Sequence, residues 1–409
     1  MVGRLGRPMV AKQPRRIAVL TGSRSDYGLL YWTMRGIQED SDLELILMVT
    51  GSHLSADFGQ TENDIQDAGF TIAARIDALM SSDSGEGTAA SMGQTTIKVA
   101  QELARLKPDL LLVLGDRTEI LATVSAALPL LVPVAHIHGG ESTEGAIDEG
   151  IRHAVTKLSH IHFTATEFYA RRLLQMGEEP WRVHVSGAPA LEHLHRGELL
   201  EKTVLERELG LDLSKPCLLV TQHSVTLSDD AAAGEIDKVL SAIEKSGLPA
   251  VITYPNADMG GRAIIEKINS FQERYPLAQV RVNLGSRLYM GLMRHVVALV
   301  GNSSSGIIEA ASFGLPVVNV GDRQLGRVRG ANVIDVTSDK ESIYAGIQQA
   351  MNTNFRQMAS KVSNPYDNGK ASDIILPVLK EVQLGSTLIR KRLVDLPSTL
   401  QALKVGEKV

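Results

Sequence analysis

Residues 110–141 read LLLVLGDRTEILATVSAALPLLVPVAHIHGGE, and residues 296–324 read VVALVGNSSSGIIEAASFGLPVVNVGDRQ. Each passes through an apolar run, a glycine, a polar turn, an apolar helix-like stretch, a proline, a second apolar run and a polar loop. The offset is nearly constant, with 186 residues separating Gly115 from Gly301 and 183 separating Pro133 from Pro316. One α/β unit therefore occurs twice. The opening runs of the two copies also match, Thr21 being followed by Arg24 and Thr221 by His223.

Outward from these segments, short apolar runs recur at 17–21, 45–50, 132–137, 161–165, 217–221, 250–254 and 317–320, separated by amphipathic stretches. Fully apolar strands alternating with helical patterns are the mark of parallel sheets covered on both faces. The expected class is α/β, with two Rossmann-like, doubly wound parallel-sheet domains facing a cleft. The expected boundaries are a flexible tail at 1–15, an amino-terminal domain at 16–195, a second domain at 196–375, and a helix and tail at 376–409 that either pack back on the first domain or protrude. A Glu/Arg/Leu-rich helix over 191–209 leads from one half to the other.

Composition narrows the function. The chain has 409 residues, 44% of them hydrophobic and 22% charged, which is enough to build two sizeable cores. With 42 Lys and Arg against 47 Asp and Glu, the net charge of −5 argues against a nucleic-acid partner, which would need a basic surface. Residues 120–137 carry no charge and approach the length of a membrane span. Pro129 and Pro133 break them into a buried helix, a turn and a buried strand, so no membrane partner is expected. The basic start of the chain lacks the apolar run of a secretory signal, and Cys217 is the sole cysteine, so a reducing, cytoplasmic setting fits.

In open α/β sheets the ligand sits beyond the carboxyl ends of the strands. Gly301-Asn302-Ser303-Ser304-Ser305-Gly306 follows an apolar strand and opens an apolar helix, so its N–H groups and hydroxyls point to an anion such as phosphate. Neither dinucleotide nor P-loop glycine spacing is present. Arg24, Arg117 and Arg323 each follow a strand, and arginine suits bidentate contact with a diphosphate. His223 occupies the equivalent point of the second half.

The densest cluster is His136-Ile137-His138-Gly139-Gly140-Glu141 with Glu144, Asp148 and Glu149, and Asp116 ends the neighbouring strand. Strand alternation places His136 and His138 on one face. Such a set suits either a metal centre built on H-x-H and a carboxylate, or acid/base work shared by Asp116 with Asp148 or Glu141. The cluster lacks clear third and fourth metal ligands, and no metal is assigned.

These motifs resemble the hydrolysing UDP-N-acetylglucosamine 2-epimerases, a family whose members feed sialic and legionaminic acid synthesis. The resemblance rests on TGSRSDYG (21–28), GDR (115–117), HIHGGE with AIDE (136–149), IRHAVTKLSHIHF (151–163), TQHSVT (221–226), YPNAD (254–258), GNSSSG (301–306), PVVNVGDRQ (316–324) and NPYDNGKAS (364–372), all in the family's order. It implies the glycosyltransferase-B type of two-domain fold and cleavage of a UDP-2-acetamido sugar to UDP and the free 2-epimer. The route it implies is anti elimination of UDP to a glycal followed by hydration, with no cofactor and as a homodimer or homotetramer. A non-hydrolysing epimerase and a glycosyltransferase of the same fold are the alternatives.

By motif, Asp116, Asp148 and His223 fall on catalytic positions of the family. Ser303 and Ser304 fall on diphosphate contacts, Glu309 on a ribose or uridine contact, and Asn256 on the nucleotide side. Arg24, Asp26, Arg117, Asp258 and Arg323 complete the substrate-binding set. One departure stands out: many relatives read H-I-E-G-G-E, so His138 occupies the place of a catalytic glutamate. Either His138 takes the acid/base role, or Glu141 does, or the substrate differs slightly, and the loop ESTEGAID is one residue longer than in some relatives.

Overall fold

The computed structural model describes residues 13–56, 59–79, 84–144, 146–197, 199–225, 231–255 and 260–395. The first half forms a seven-stranded sheet from β1 (Arg15–Thr21), β2 (Leu43–Thr50), β3 (Ile72–Ile76), β4 (Leu110–Leu114), β5 (Val134–Ile137), β6 (Ile161–Thr164) and β7 (Val183–Val185). The second half forms a six-stranded sheet from β8 (Leu218–Thr221), β9 (Ala250–Thr253), β10 (Ala278–Arg281), β11 (Ala298–Gly301), β12 (Val317–Val320) and β13 (Val333–Val336). The spatial orders are β3-β2-β1-β4-β5-β6-β7 and β10-β9-β8-β11-β12-β13. Both sheets share one winding, with β7 added to the first, and every ladder pairs parallel. The duplication read from the sequence is thus a duplication of topology.

Alternation explains why the strands are apolar throughout. Ile17, Val19, Leu47, Leu110 and Leu112 pack on one face of the first sheet, while Ala18, Leu20, Met48, Leu111 and Val113 pack on the other. Helices cover both faces, so the central positions of these strands are shielded from water, while Arg15, Arg16, Glu44 and Leu45 near the strand starts stay partly or fully exposed. The strands absent from the apolar-run reading are β3, β7, β10 and β13, which are the four sheet edges. Their sequences IAARI, VHV, AQVR and VIDV are only partly buried, so they lack the continuous apolar signal.

Two helix expectations are corrected. The stretch 191–209 is not one helix but a short turn at Glu192–His195 and a separate helix at Lys202–Leu209, broken where Gly197 takes φ +72°. The helix after the serine loop is a single turn, Ser304–Ile308, that tightens into a 3₁₀ turn at Ala310–Phe313.

The helix Ser372–Glu381 lies against the first sheet. Ile375 and Leu379, with Ala371 before the helix and Leu388 beyond it, join the cluster of Ile17, Leu30 and Met34. The fully buried Arg182 grips the carbonyls of Leu388 at 2.9 Å and Thr387 at 3.1 Å. Among the described residues no helix is long and apolar enough to cross a membrane.

Candidate active site

A cleft of about 720 Å³ opens between the carboxyl ends of the two sheets. It lies where each strand order reverses, between β1 and β4 and between β8 and β11, the place an α/β sheet offers a ligand. From the first half Arg24, Asp26, Asp116, Arg117, His138, Glu141 and Asp148 line it; from the second, His223, Ser303, Ser304, Glu309 and Arg323 do. Asn256 and Asp258 lie outside the described residues.

At the end of β1, Ser23 caps the helix Arg24–Glu39 by accepting from the Asp26 N–H at 3.3 Å. Asp26 is 7% exposed, and its Oδ2 has no hydrogen-bond partner among the described residues. Burial pushes its carboxyl up to about 6 despite the pull of Arg117. Arg24 pairs with Asp64 at 3.4 Å, and Arg117 donates to Glu119 at 3.1 Å. Both guanidiniums therefore reach the cleft already holding a carboxylate.

At the end of β4, Gly115 turns the chain with φ +79° and presents Asp116. The Asp116 carboxylate is ion-paired with Arg152, whose side chain is 1% exposed. Arg152 also donates to Thr143 Oγ1 at 2.7 Å, the Glu141 carbonyl at 3.0 Å and Glu149 at 3.1 Å. Asp148 opens the same helix, Asp148–Leu158, one turn before Arg152.

At the end of β5 the expectation that His136 and His138 work from one face fails. The strand stops at Ile137, and His138 adopts φ +68°, so alternation does not carry across to it. His136 is fully buried, bonded through Nε2 to the Gly115 carbonyl at 2.7 Å, and burial pushes its imidazole down to about 3. It is a neutral brace between strands, and the H-x-H metal reading loses one of its ligands.

His138 instead pairs through Nδ1 with Glu141. The turn needs its glycines: a Cβ on Gly140, at φ +81°, would meet Leu173 Cδ1 at 2.4 Å and the Tyr169 carbonyl at 2.7 Å. Glu141 is 1% exposed. Burial alone would raise its carboxyl, but His138 and Arg327, whose Nη1 lies 3.2 Å away, hold it below the ordinary value. An ionised Glu141 only accepts, so Nδ1 of His138 carries the proton.

In the second half, the Asn302 side chain braces His223, accepting from its N–H at 2.7 Å and donating to its carbonyl at 2.9 Å. Gly301 allows this, since a Cβ there would sit 2.1 Å from the Thr221 carbonyl. Ser303 Oγ accepts from the Ser305 N–H at 3.4 Å as an ordinary helix cap, and its side chain also bonds Tyr289. Arg323 and Gln324 both donate to the Asn302 carbonyl, at 3.3 and 2.8 Å. Burial raises the carboxyl of Glu309, which stands 8% exposed behind the serines.

One wall of the cleft thus carries carboxylates and an imidazole held by two buried arginines, and the other carries hydroxyls, an imidazole and a cation. Arg152 and Arg327 escape the sequence reading. The signals available were their spacings, one helical turn after Asp148 and four residues after Arg323.

The fold and the cleft together define a two-domain α/β enzyme of glycosyltransferase-B type. Solved structures with the same architecture include a Neisseria meningitidis UDP-GlcNAc 2-epimerase bound to UDP-GlcNAc (TM-score 0.77, 19% identity, 89% of this chain and 99% of that one) and S. aureus MnaA with UDP (TM-score 0.77, 18% identity, 90% and 96%). The chain belongs to the UDP-N-acetylglucosamine 2-epimerase family, whose model matches residues 35–380. It is 36% identical to the hydrolysing UDP-N,N'-diacetylbacillosamine 2-epimerase of Legionella pneumophila, over 92% of this chain and 98% of that protein. It is 37% identical to the hydrolysing GDP/UDP-N,N'-diacetylbacillosamine 2-epimerase of Campylobacter jejuni, over 93% and 99%. It is 34% identical to the polysialic acid biosynthesis protein P7 of Escherichia coli, over 94% and 98%.

Proposed function

We propose that this protein is a hydrolysing 2-epimerase that takes a UDP-2-acetamido sugar and water to UDP and the free 2-epimer. The observation that carries the proposal is the facing of an acid/base wall, Asp116 with His138–Glu141, by an anion-binding wall, Ser303, Ser304, Arg323 and His223, across one cleft. Hydrolysing relatives at 36 and 37% identity favour UDP-N,N'-diacetylbacillosamine over UDP-N-acetylglucosamine as substrate.

In the elimination step a carboxylate of the first wall takes the C2 proton while the C1–O bond breaks and its electron pair leaves with the diphosphate. The C2 hydrogen is not next to a carbonyl, so a positioned base supplies about 10²–10⁴-fold and stabilisation of the departing anion is the larger demand. Arg24, Arg323, His223, Ser303 and Ser304 meet that demand, Arg117 and Asp26 extend the sugar side, and Glu309, Asn256 and Asp258 hold the nucleoside.

In the hydration step a proton is delivered to C2 from the opposite face and water adds its hydroxyl at C1. The His138–Glu141 pair supplies a protein acid or base where other members carry a glutamate, with Asp116 and Asp148 as the carboxylates. The product feeds synthesis of nine-carbon sialic- or legionaminic-type acids in the cytoplasm, by a homodimer or homotetramer.

The test is to incubate purified protein with each UDP-sugar in deuterated water. Release of UDP with one deuteron at C2 of the free sugar is expected, faster for the diacetylated substrate. Both UDP-sugars staying intact would refute the proposal, and a UDP-linked epimer would replace it with the non-hydrolysing reaction.

A further inference from the structure

The loop after β12 carries Arg323 and Gln324 against the serine turn, and four residues later it crosses the cleft. Gly326, at φ +78°, lies so close to the first half that a Cβ would sit 2.5 Å from Glu144 Oε1 and 3.0 Å from Ser142 Cβ. Arg327 then enters the acid/base wall. Its side chain is 7% exposed, and it pairs with Glu141 at 3.2 Å while donating to the Ser142 carbonyl at 2.7 Å and Thr143 Oγ1 at 3.2 Å. Thr143 Oγ1 also accepts from Arg152, the partner of Asp116. Tyr169 Oη accepts from the Val328 N–H at 3.0 Å, and Tyr366 Oη donates to the Val328 carbonyl at 2.7 Å, fixing the loop where it lands.

The geometry points to Arg327 as a positioning residue that couples nucleotide seating in the second half to placement of the acid/base groups in the first. One short loop touches the Asn302 carbonyl beside Ser303 and Ser304 at its start, and the Glu141 carboxylate four residues on. A nucleotide that orders the serine turn orders Arg327, and through it Glu141, Thr143, Arg152 and Asp116. The chain of contacts is continuous, and each link is a directional hydrogen bond or ion pair. Chemistry is thereby confined to the state in which the leaving diphosphate is already held. The kinetic part of this inference rests on the 2-epimerase reading; the coupling itself needs only that UDP binds.

Wild-type and Arg327→Ala proteins are compared by calorimetry with UDP, by steady-state kinetics with the UDP-sugar, and by hydrogen exchange with and without UDP. Arg327→Ala is expected to keep UDP affinity within about threefold while kcat falls at least about 100-fold with little change in KM, the signature of an interaction used in the transition state. UDP is expected to slow exchange of residues 139–144 in the wild type and not in the variant, while protection of 301–309 persists in both. Arg327→Lys, which keeps the charge and loses the fork, is expected to recover about tenfold.

A variant that retains kcat within threefold, or that retains the UDP-dependent protection of 139–144, overturns the coupling. If Arg327→Ala does not fold, Thr143→Val removes the shared hydroxyl at constant shape; a kcat about tenfold lower at unchanged UDP affinity supports the coupling, and an unchanged kcat overturns it. Wild-type protein that binds UDP but turns over neither sugar overturns the 2-epimerase reading alone, because the exchange experiment still decides the coupling. Wild-type protein that binds no UDP overturns both.

Discussion

The Arg152 guanidinium is 1% exposed and closes an ion pair on the Asp116 carboxylate, which sits 22% exposed at the cleft. The cation is buried in the helix Asp148–Leu158 and the anion is open to the cleft, so the pair fixes a carboxylate that follows the fully apolar strand β4. Removing one partner of such a pair leaves an uncompensated buried charge.

Asp116→Asn is expected to abolish turnover while UDP affinity stays near the wild-type value. Arg152→Lys cannot reach Asp116, Glu149 and Thr143 together, and is expected to lower kcat by about 10²-fold or more with UDP affinity unchanged. Steady-state rates and UDP calorimetry on the same preparations check both.

Ser303 and Ser304 line the cleft on the side of the second half, where the proposed function seats the diphosphate. Their joint replacement by Ala is expected to weaken UDP binding about tenfold or more, the loss of one to two hydrogen bonds to a charged group. Calorimetry reads this directly, and an unchanged dissociation constant would move the phosphate site elsewhere.

Asp26 supplies a pH dependence. Its carboxyl is raised from 3.8 to about 6 by burial, so the folded state holds the proton more tightly than the unfolded state. The cost to stability is absent below the unfolded value, grows as the pH rises toward 6 and is complete above it. Asp26→Asn is therefore expected to stabilise the protein at pH 7.5 by on the order of 1–3 kcal/mol and to leave it unchanged near pH 3.5. Urea unfolding at the two pH values measures the difference, and an equal effect at both would contradict it.

Leu379 tests the return of the chain end to the first sheet. It is fully buried against a cluster that includes Ile17 and Met34. Leu379→Ala is expected to cost about 2–5 kcal/mol of stability, measured as a lowered urea midpoint. An effect within about 0.5 kcal/mol, as for a surface site, would mean that the helix does not hold the core.

His138 stands where the resemblance drawn from the sequence motifs places a glutamate. His138→Gln keeps a side chain of similar reach and removes the titratable group beside Glu141. It is expected to lower kcat by about 10²-fold with UDP affinity preserved. A rate near that of the wild type would assign the role to Glu141 alone.

How much of this was legible from sequence follows burial. Central strands such as LLLVL at 110–114 are covered on both faces and announce themselves as unbroken apolar runs, which is why the duplicated unit could be read from its offsets. The edges β3, β7, β10 and β13 face solvent on one side and mix polar with apolar residues, so no period marks them. The same logic holds in the site. Asp116 is conspicuous because a charge ends an apolar strand, whereas Arg152 lies inside an amphipathic helix where an arginine is unremarkable by pattern. His136 and His138 look alike in sequence and part company only because His138 takes a left-handed backbone after the strand ends.

By itself the sequence determined the class, the twofold repeat of the sheet and the strand ends where chemistry should sit, because periodicity and turn residues are local properties encoded within about a dozen residues. Only the tertiary structure decided which charges meet. Arg327 and Glu141 are 186 residues apart, and Arg152 and Asp116 are 36 apart. Their pairing depends on how two sheets and their crossing loops are placed in space, and nothing in the local order of the chain records that.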